Sequence, residues 1–216
     1  GATGFIGSHL IRHLQHRGHE VWALARQPAL TSFPSGVHVI QGSLENIASW
    51  EHRLKEVDAL AHLAAQYRIG VVGRRERSGM AACNVAGTQA VLEAGWRAGV
   101  RRMLHVSSTA ALGETHGEEL NESAQHNGTF RSFYEQTKHV AHGLALDLQR
   151  RGAPLCIATP GGAFGPGDRS DLDAALRQFA AGKLPVQVDS LSRFQLCHVD
   201  LICDGLARIV EQGILG

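Results

Sequence analysis

Short β-rich runs alternate with helical lengths along most of this chain, and that rhythm leaves few folds open. An apolar helical period at Ile6, Leu10 and Leu14 stops at Arg17-Gly18. Runs of strand character follow at 20–25, 37–41, 57–63, 102–107 and 154–159. Between them the pattern predicts helices over 46–55, 81–98 (closed by Gly99) and 130–151 (closed by Gly152). Strands spaced by helices mean βαβ units, so the fold expected is α/β: a parallel sheet doubly wound with helices on both faces. After Pro160 the rhythm weakens. A Gly/Pro loop over 160–168 is expected to lead into a helix at 172–181, a short strand near 194–198 and a last helix from Asp200. No internal repeat or low-complexity stretch is present.

Composition narrows the function classes. Lys and Arg number 21 against 20 Asp and Glu, so no global field favours nucleic acid or an anionic membrane. No apolar stretch approaches the ~20 residues of a membrane helix, and a cytoplasmic location is expected. Cys83, Cys156, Cys197 and Cys203 include no C-x-x-C pair and read as reduced thiols. There are 25 glycines in 216 residues, about 12% where roughly 7% is usual, which points to tight turns and close backbone approaches.

Three of those glycines open the chain, as Gly1-Ala-Thr-Gly4-Phe-Ile-Gly7 ahead of the first helical period. In a doubly wound sheet such a loop brings backbone N–H groups and a helix N-terminus to a dinucleotide pyrophosphate. The spacing is G-x-x-G-x-x-G, and an ordinary set of turns would look similar. Where an acid normally reads the ribose, after the second strand, the sequence has Ala25-Arg26-Gln27. Arg26 suits a 2′-phosphate, which favours NADP over NAD; the alternative is a solvated Arg after a strand.

Tyr134 and Lys138 are spaced i, i+4 on a predicted helix, which puts phenol and ammonium on one face. A fixed ammonium beside a phenol, with a cationic nicotinamide, would lower the phenol pKa from about 10 and fit it for acid/base work. Ser107-Ser108-Thr109 ends the preceding strand, where an α/β sheet presents ligand groups. Asn84, in the helix before that strand, could join a water relay.

With these stretches in chain order, the sequence resembles the extended short-chain dehydrogenase/reductases, in the NAD(P)-dependent sugar epimerase/dehydratase and dihydroflavonol-reductase-like group. The stretches are GATGFIG at 1–7, HLAA at 62–65, NVAGT at 84–88, VSSTAALG at 106–113, YEQTK at 134–138, GPGD at 165–168 and HVD at 198–200. The resemblance implies a Rossmann-type domain over 1–160 and a partial substrate-binding region over 161–216. It implies that Gly1, Gly4, Phe5, Ile6 and Gly7 hold the pyrophosphate, that Ser43 and Leu44 flank adenine, and that Leu63, Ala64 and Ala65 border the cofactor. It puts the catalytic hydroxyl on Ser108, with Thr109 second and Ser107 a strand-end cap. Tyr134 becomes the acid/base, and Lys138 holds the ribose and lowers the Tyr134 pKa. Three positions depart from the pattern: Ser43 stands in place of an Asp, Leu112 in place of an aromatic, and Leu201 in place of the second acid of HVDD.

The function expected is hydride transfer between NAD(P) and a sugar-nucleotide or small carbonyl/hydroxyl substrate. Epimerase, dehydratase and reductase are not separated, although Arg26 and Leu112 lean towards the reductase. The alternatives are a non-catalytic NAD(P)-sensing protein and an inactive fragment of the enzyme. The chain starts at the glycine loop, so the first strand is expected to be missing, residues 1–216 to fold poorly alone, and the end at 213–216 to come early. A homodimer stays open. His9, His13 and His16, and the pair His139 and His142, read as solvated helix faces with no metal. Arg74-Arg75-Glu76-Arg77 reads as a loop charge cluster.

Overall fold

The computed structural model describes residues 1–216 except 69, 71, 116, 120, 185–194 and 214–216. The part of the expected 194–198 strand at Phe194, and most of the 213–216 end, lie outside the described residues. Five strands, parallel in every pairing, alternate with helices over the first part of the chain: α1 (Phe5–His16), β1 (Val21–Ala25), β2 (Val37–Gln41), β3 (Ala59–His62), α2 (Arg74–Ala81), α3 (Thr88–Arg97), β4 (Arg102–Val106), α4 (Phe133–Arg150) and β5 (Leu155–Ala158). Then follow β6 (Gly162–Phe164), α5 (Asp171–Ala180), β7 (Leu196–His198) and α6 (Val199–Gln212).

The fold is the Rossmann-type α/β arrangement expected. β1 pairs β2, and β3-β4-β5 form a second ladder, every pairing parallel. Among the described residues no ladder joins β1 to β3, the two strands that flank the place a 3-2-1-4-5-6 order gives its first strand.

Period-two alternation divides the core into two layers. On β4, Met103 packs with Leu92, Leu148 and Leu155 under α3 and α4, while Leu104 and Val106 pack with Leu10, Val199, Cys203 and Leu206 under α1 and α6. α6, although late in sequence, therefore covers the same sheet face as α1. Arg17 ties the two helices further, pairing with Asp204 and Glu211. Exposed pairs of this kind contribute little.

Gly18, Gly99 and Gly152 follow their helices with φ of 83°, 79° and 96°, the left-handed turn that ends a helix without a Cβ penalty. Three expectations are corrected. Residues 46–55 form two 3₁₀ turns, Ile47–Ser49 and Glu51–Glu56, because Trp50 interrupts them to bury its ring and bond the Ser43 carbonyl at 2.9 Å. The loop over 160–168 contains β6, paired with β7. The helix expected from 81 begins at Arg74, so Arg74 to Arg77 are helical; Glu76 caps the Gly73 N–H and Arg77 lies over the Phe133 ring.

Candidate active site

The sequence-predicted residues meet at the carboxyl ends of the parallel strands, where such sheets bind ligands. Gly4 is the extended N-cap of α1, with no side-chain cap and no acid in the first turn, so the first N–H groups stay available to an anion. A Cβ on Gly7 would land on the Gly1 carbonyl, and one on Gly1 would lie 2.5 Å from the Leu63 carbonyl carbon. The loop is thus packed backbone to backbone against Leu63 and Ala64 at the end of β3, a cradle that fits a pyrophosphate. Phe5 and Ile6 turn instead towards the core under α6.

Arg26 is exposed directly after β1. Ser43 follows β2, and its carbonyl accepts from Trp50; Leu44 packs against Gly87, where a Cβ would meet its Cδ1 at 2.9 Å.

The chemistry-bearing groups gather at the ends of β4 and α4. Ser132 caps α4 by accepting from Glu135 N–H, which fixes where Tyr134 emerges. The Ser108 side chain favours the ionised form of the Tyr134 phenol. Its Oγ also accepts from Ala110 N–H at 3.2 Å. Ser107 points elsewhere, its Oγ 3.0 Å from Nδ1 of His142, so the capping role expected of it falls to Ser108. Lys138 Nζ donates to the Val106 carbonyl at 3.1 Å.

Burial sets the proton affinities here. It pushes the Tyr134 phenol up to about 12, against the nearby Ser108 side chain, which favours the phenolate; Tyr67 adds a smaller upward push. Burial also lowers the Lys138 ammonium to about 8. In the protein alone, then, the phenol is held protonated.

Asn84 sits in a π-helical turn, Ala82–Gly87, between α2 and α3. Such turns often mark functional sites because the extra residue re-aims a side chain. Its amide is fully engaged: Oδ1 accepts from Gln66 N–H at 2.7 Å, and Nδ2 donates to the Gln66 carbonyl and to Thr137 Oγ1, each at 3.0 Å. Both amide protons are therefore committed to protein groups.

The histidines correct the solvated-face expectation. His9 and His13 converge on Asp200 Oδ1 at 3.1 and 3.3 Å, and His9 also bonds the Pro166 carbonyl. His139 bonds the Ala111 carbonyl, and His142 bonds Ser107. Only His16 of the five is exposed. Spacing on one helix could not show this, because the partners come from 28 to 191 residues away. Among the described residues no group of three or more His, Cys, Asp or Glu is arranged to hold a metal ion. No helix there is long and apolar enough to cross a membrane.

Sequence reasoning missed Tyr67, whose ring meets that of Tyr134 at a centroid distance of 4.9 Å and 84°. The available signal was position: Tyr67 follows HLAA in the loop after β3, at a strand's carboxyl end. It also missed the buried stack of His62 on His105, 5.6 Å apart, behind the site.

A sequence profile of the NAD-dependent epimerase/dehydratase family matches residues 1–214. The chain belongs to that family. Relatives of this family member include a 3β-hydroxysteroid dehydrogenase/Δ5→4-isomerase of Mycobacterium tuberculosis, 29% identical over 87% of this chain and 52% of its own length. Among solved structures, gox2253 superposes with a TM-score of 0.88 at 30% identity, covering 99% of this chain and 66% of its own. MoeE5 in complex with UDP-glucose and NAD superposes with a TM-score of 0.76 at 31% identity, covering 99% of this chain and 69% of its own. The chain spans about half the length of the curated relatives it matches. In this family member the glycine cradle and the Ser108–Tyr134–Lys138 group lie on the one sheet edge, and the residues present fit a dinucleotide.

Proposed function

We propose that this chain carries the cofactor domain and proton-transfer group of an NAD(P)-dependent oxidoreductase acting on a carbonyl or carbinol carbon. The observation that carries the reading is the gathering of Ser108, Tyr134 and a Lys138 anchored on the Val106 carbonyl at the end of β4, beside a cradle fit for the dinucleotide. When bound, the nicotinamide supplies or accepts the hydride. Tyr134 gives its proton to the carbonyl oxygen as the carbon is reduced, and takes it back from the carbinol in the reverse direction. Ser108 holds that oxygen beside the phenol. Lys138 is placed for the ribose and its positive charge, while Asn84 and Thr137 brace the helix turn that bears Tyr134.

Arg26 supports a preference for NADP, since an exposed guanidinium directly after β1 matches a 2′-phosphate. A free carbonyl compound is favoured over a nucleotide sugar by Arg26 and Leu112, although MoeE5 was solved with a nucleotide sugar.

Replacing Tyr134 with Phe is expected to abolish ketone reduction while NAD(P)H still binds, read by cofactor fluorescence. Full turnover in Tyr134→Phe would sink the mechanism. Arg26→Asp should shift the kcat/KM ratio towards NAD, and an unchanged ratio would remove the NADP reading.

A further inference from the structure

Tyr67 lies in the loop after β3, outside every helix and strand, yet its ring packs on that of Tyr134. The two rings meet edge to face, 4.9 Å between centroids. Such pairs favour defined geometry because a ring's positive edge seeks a negative face. Tyr67 keeps 55% of its surface exposed. The ring lies in the loop after β3, at the carboxyl ends of the strands, where such sheets bind ligands.

The loop that carries it is held in register. Asn84 pairs with both the N–H and the carbonyl of Gln66, the residue before Tyr67, as a neighbouring strand would. The same amide donates to Thr137, whose Oγ1 in turn donates to the Tyr134 carbonyl at 2.8 Å. One side chain therefore fixes the backbone on both sides of the ring pair. Burial, and after it the charges of Asp171 and Asp168, oppose ionisation of the Tyr67 hydroxyl. Ser108 approaches the phenol from β4, and Lys138 lies one turn along α4.

We propose that Tyr67 is a positioning residue for the reaction: one side of its ring covers and orients the Tyr134 phenol, and the exposed side stacks the flat or cyclic body of the substrate. The substrate class follows from that wall, a carbonyl compound with a ring next to the reacting carbon. This substrate claim rests on the oxidoreductase reading above, whereas the covering of the phenol does not.

The sequence contains only two tyrosines, which makes the test direct. In Tyr67→Phe and Tyr67→Ala the one remaining phenol is Tyr134, and its ionisation is read at 295 nm within milliseconds of a pH jump, before unfolding. With the ring kept in Tyr67→Phe, Tyr134 should titrate well above an ordinary tyrosine. With the ring gone in Tyr67→Ala its pKa should fall by about one unit or more, because water reaches it. Equal titration in the two variants overturns the covering role. The second arm uses acetophenone and 2-butanone as probes, with binding followed by saturation-transfer NMR in the presence of NADPH. Acetophenone should bind about 5-fold more weakly to Tyr67→Ala and unchanged to Tyr67→Phe, with 2-butanone insensitive to both. An equal loss for the two ketones, or none for acetophenone, overturns the stacking wall. Failure of the wild-type chain to reduce either ketone would instead count against the oxidoreductase reading, since neither arm needs turnover.

Discussion

Acid should unfold this protein through its buried histidines, and the size of the effect can be worked from His62. That ring is buried, stacked on His105, and 3.0 Å from the Thr88 hydroxyl. Burial, helped by the Lys138 ammonium nearby, lowers its pKa from 6.5 to about 3. The folded ring therefore binds its proton less readily than the unfolded one, so the penalty is absent above pH 6.5 and grows as pH falls towards 3. Each pH unit in that window costs about 1.4 kcal/mol, so from pH 7 to pH 5 His62 alone removes about 2 kcal/mol. The figure holds for any folded pKa below about 4, because the unfolded ring then does all the titrating. His105 and His142 are shifted the same way and add to it. The carboxylates held low, Asp200, Asp204 and Glu211, lose their contribution only below their ordinary range, outside this window.

Urea unfolding at pH 7 and pH 5 measures the difference, with His62→Leu and His105→Leu as controls. Each substitution changes absolute stability, so the quantity to compare is the pH 7 to pH 5 loss. His62→Leu should shrink that loss by about 2 kcal/mol. His105→Leu should shrink it too. It should also raise stability at pH 7, because His105 is 1% exposed and, among the described residues, neither ring nitrogen has a hydrogen-bond partner. An unchanged loss in His62→Leu would refute the reasoning.

Other expectations are simpler. Gly7→Ala places a Cβ on the Gly1 carbonyl, so the loop must open, and NADPH affinity should fall about 10-fold or more by fluorescence titration. Asn84→Ala leaves the Gln66 backbone pair without partners, and urea unfolding should show a loss of about 1–3 kcal/mol. Leu155→Ala empties a fully buried place on β5 beneath α4 and should cost about 2–5 kcal/mol by the same measure.

Much of the architecture was legible because βαβ units write their period locally: β1, β2, β4, β5, α1 and α4 fall within a few residues of where apolar spacing and glycine stops put them. The misreadings share one cause. A helix was expected at 46–55, yet Trp50 turns inward to a partner on another segment and breaks it. Arg74 to Arg77 lack an apolar stripe, and what makes them helical is a cap from Glu76 and a ring on α4.

The candidate site divides in the same way. Tyr134 and Lys138 are readable because i, i+4 spacing fixes a shared face whatever surrounds the helix. Chain order likewise puts the serines at a strand end and the glycines before a helix. What surrounds those groups was decided by tertiary structure alone. Ser107 and Ser108 are adjacent, yet one bonds His142 on α4 and the other caps the turn after β4 by accepting from Ala110 N–H. Tyr67 reaches Tyr134 across 67 positions of sequence, and His9 reaches Asp200 across 191. Local sequence determines which backbone shape forms and which side chains share a face. Burial, proton affinity and partner choice depend on groups brought together by the sheet, and for those only the folded chain has the answer.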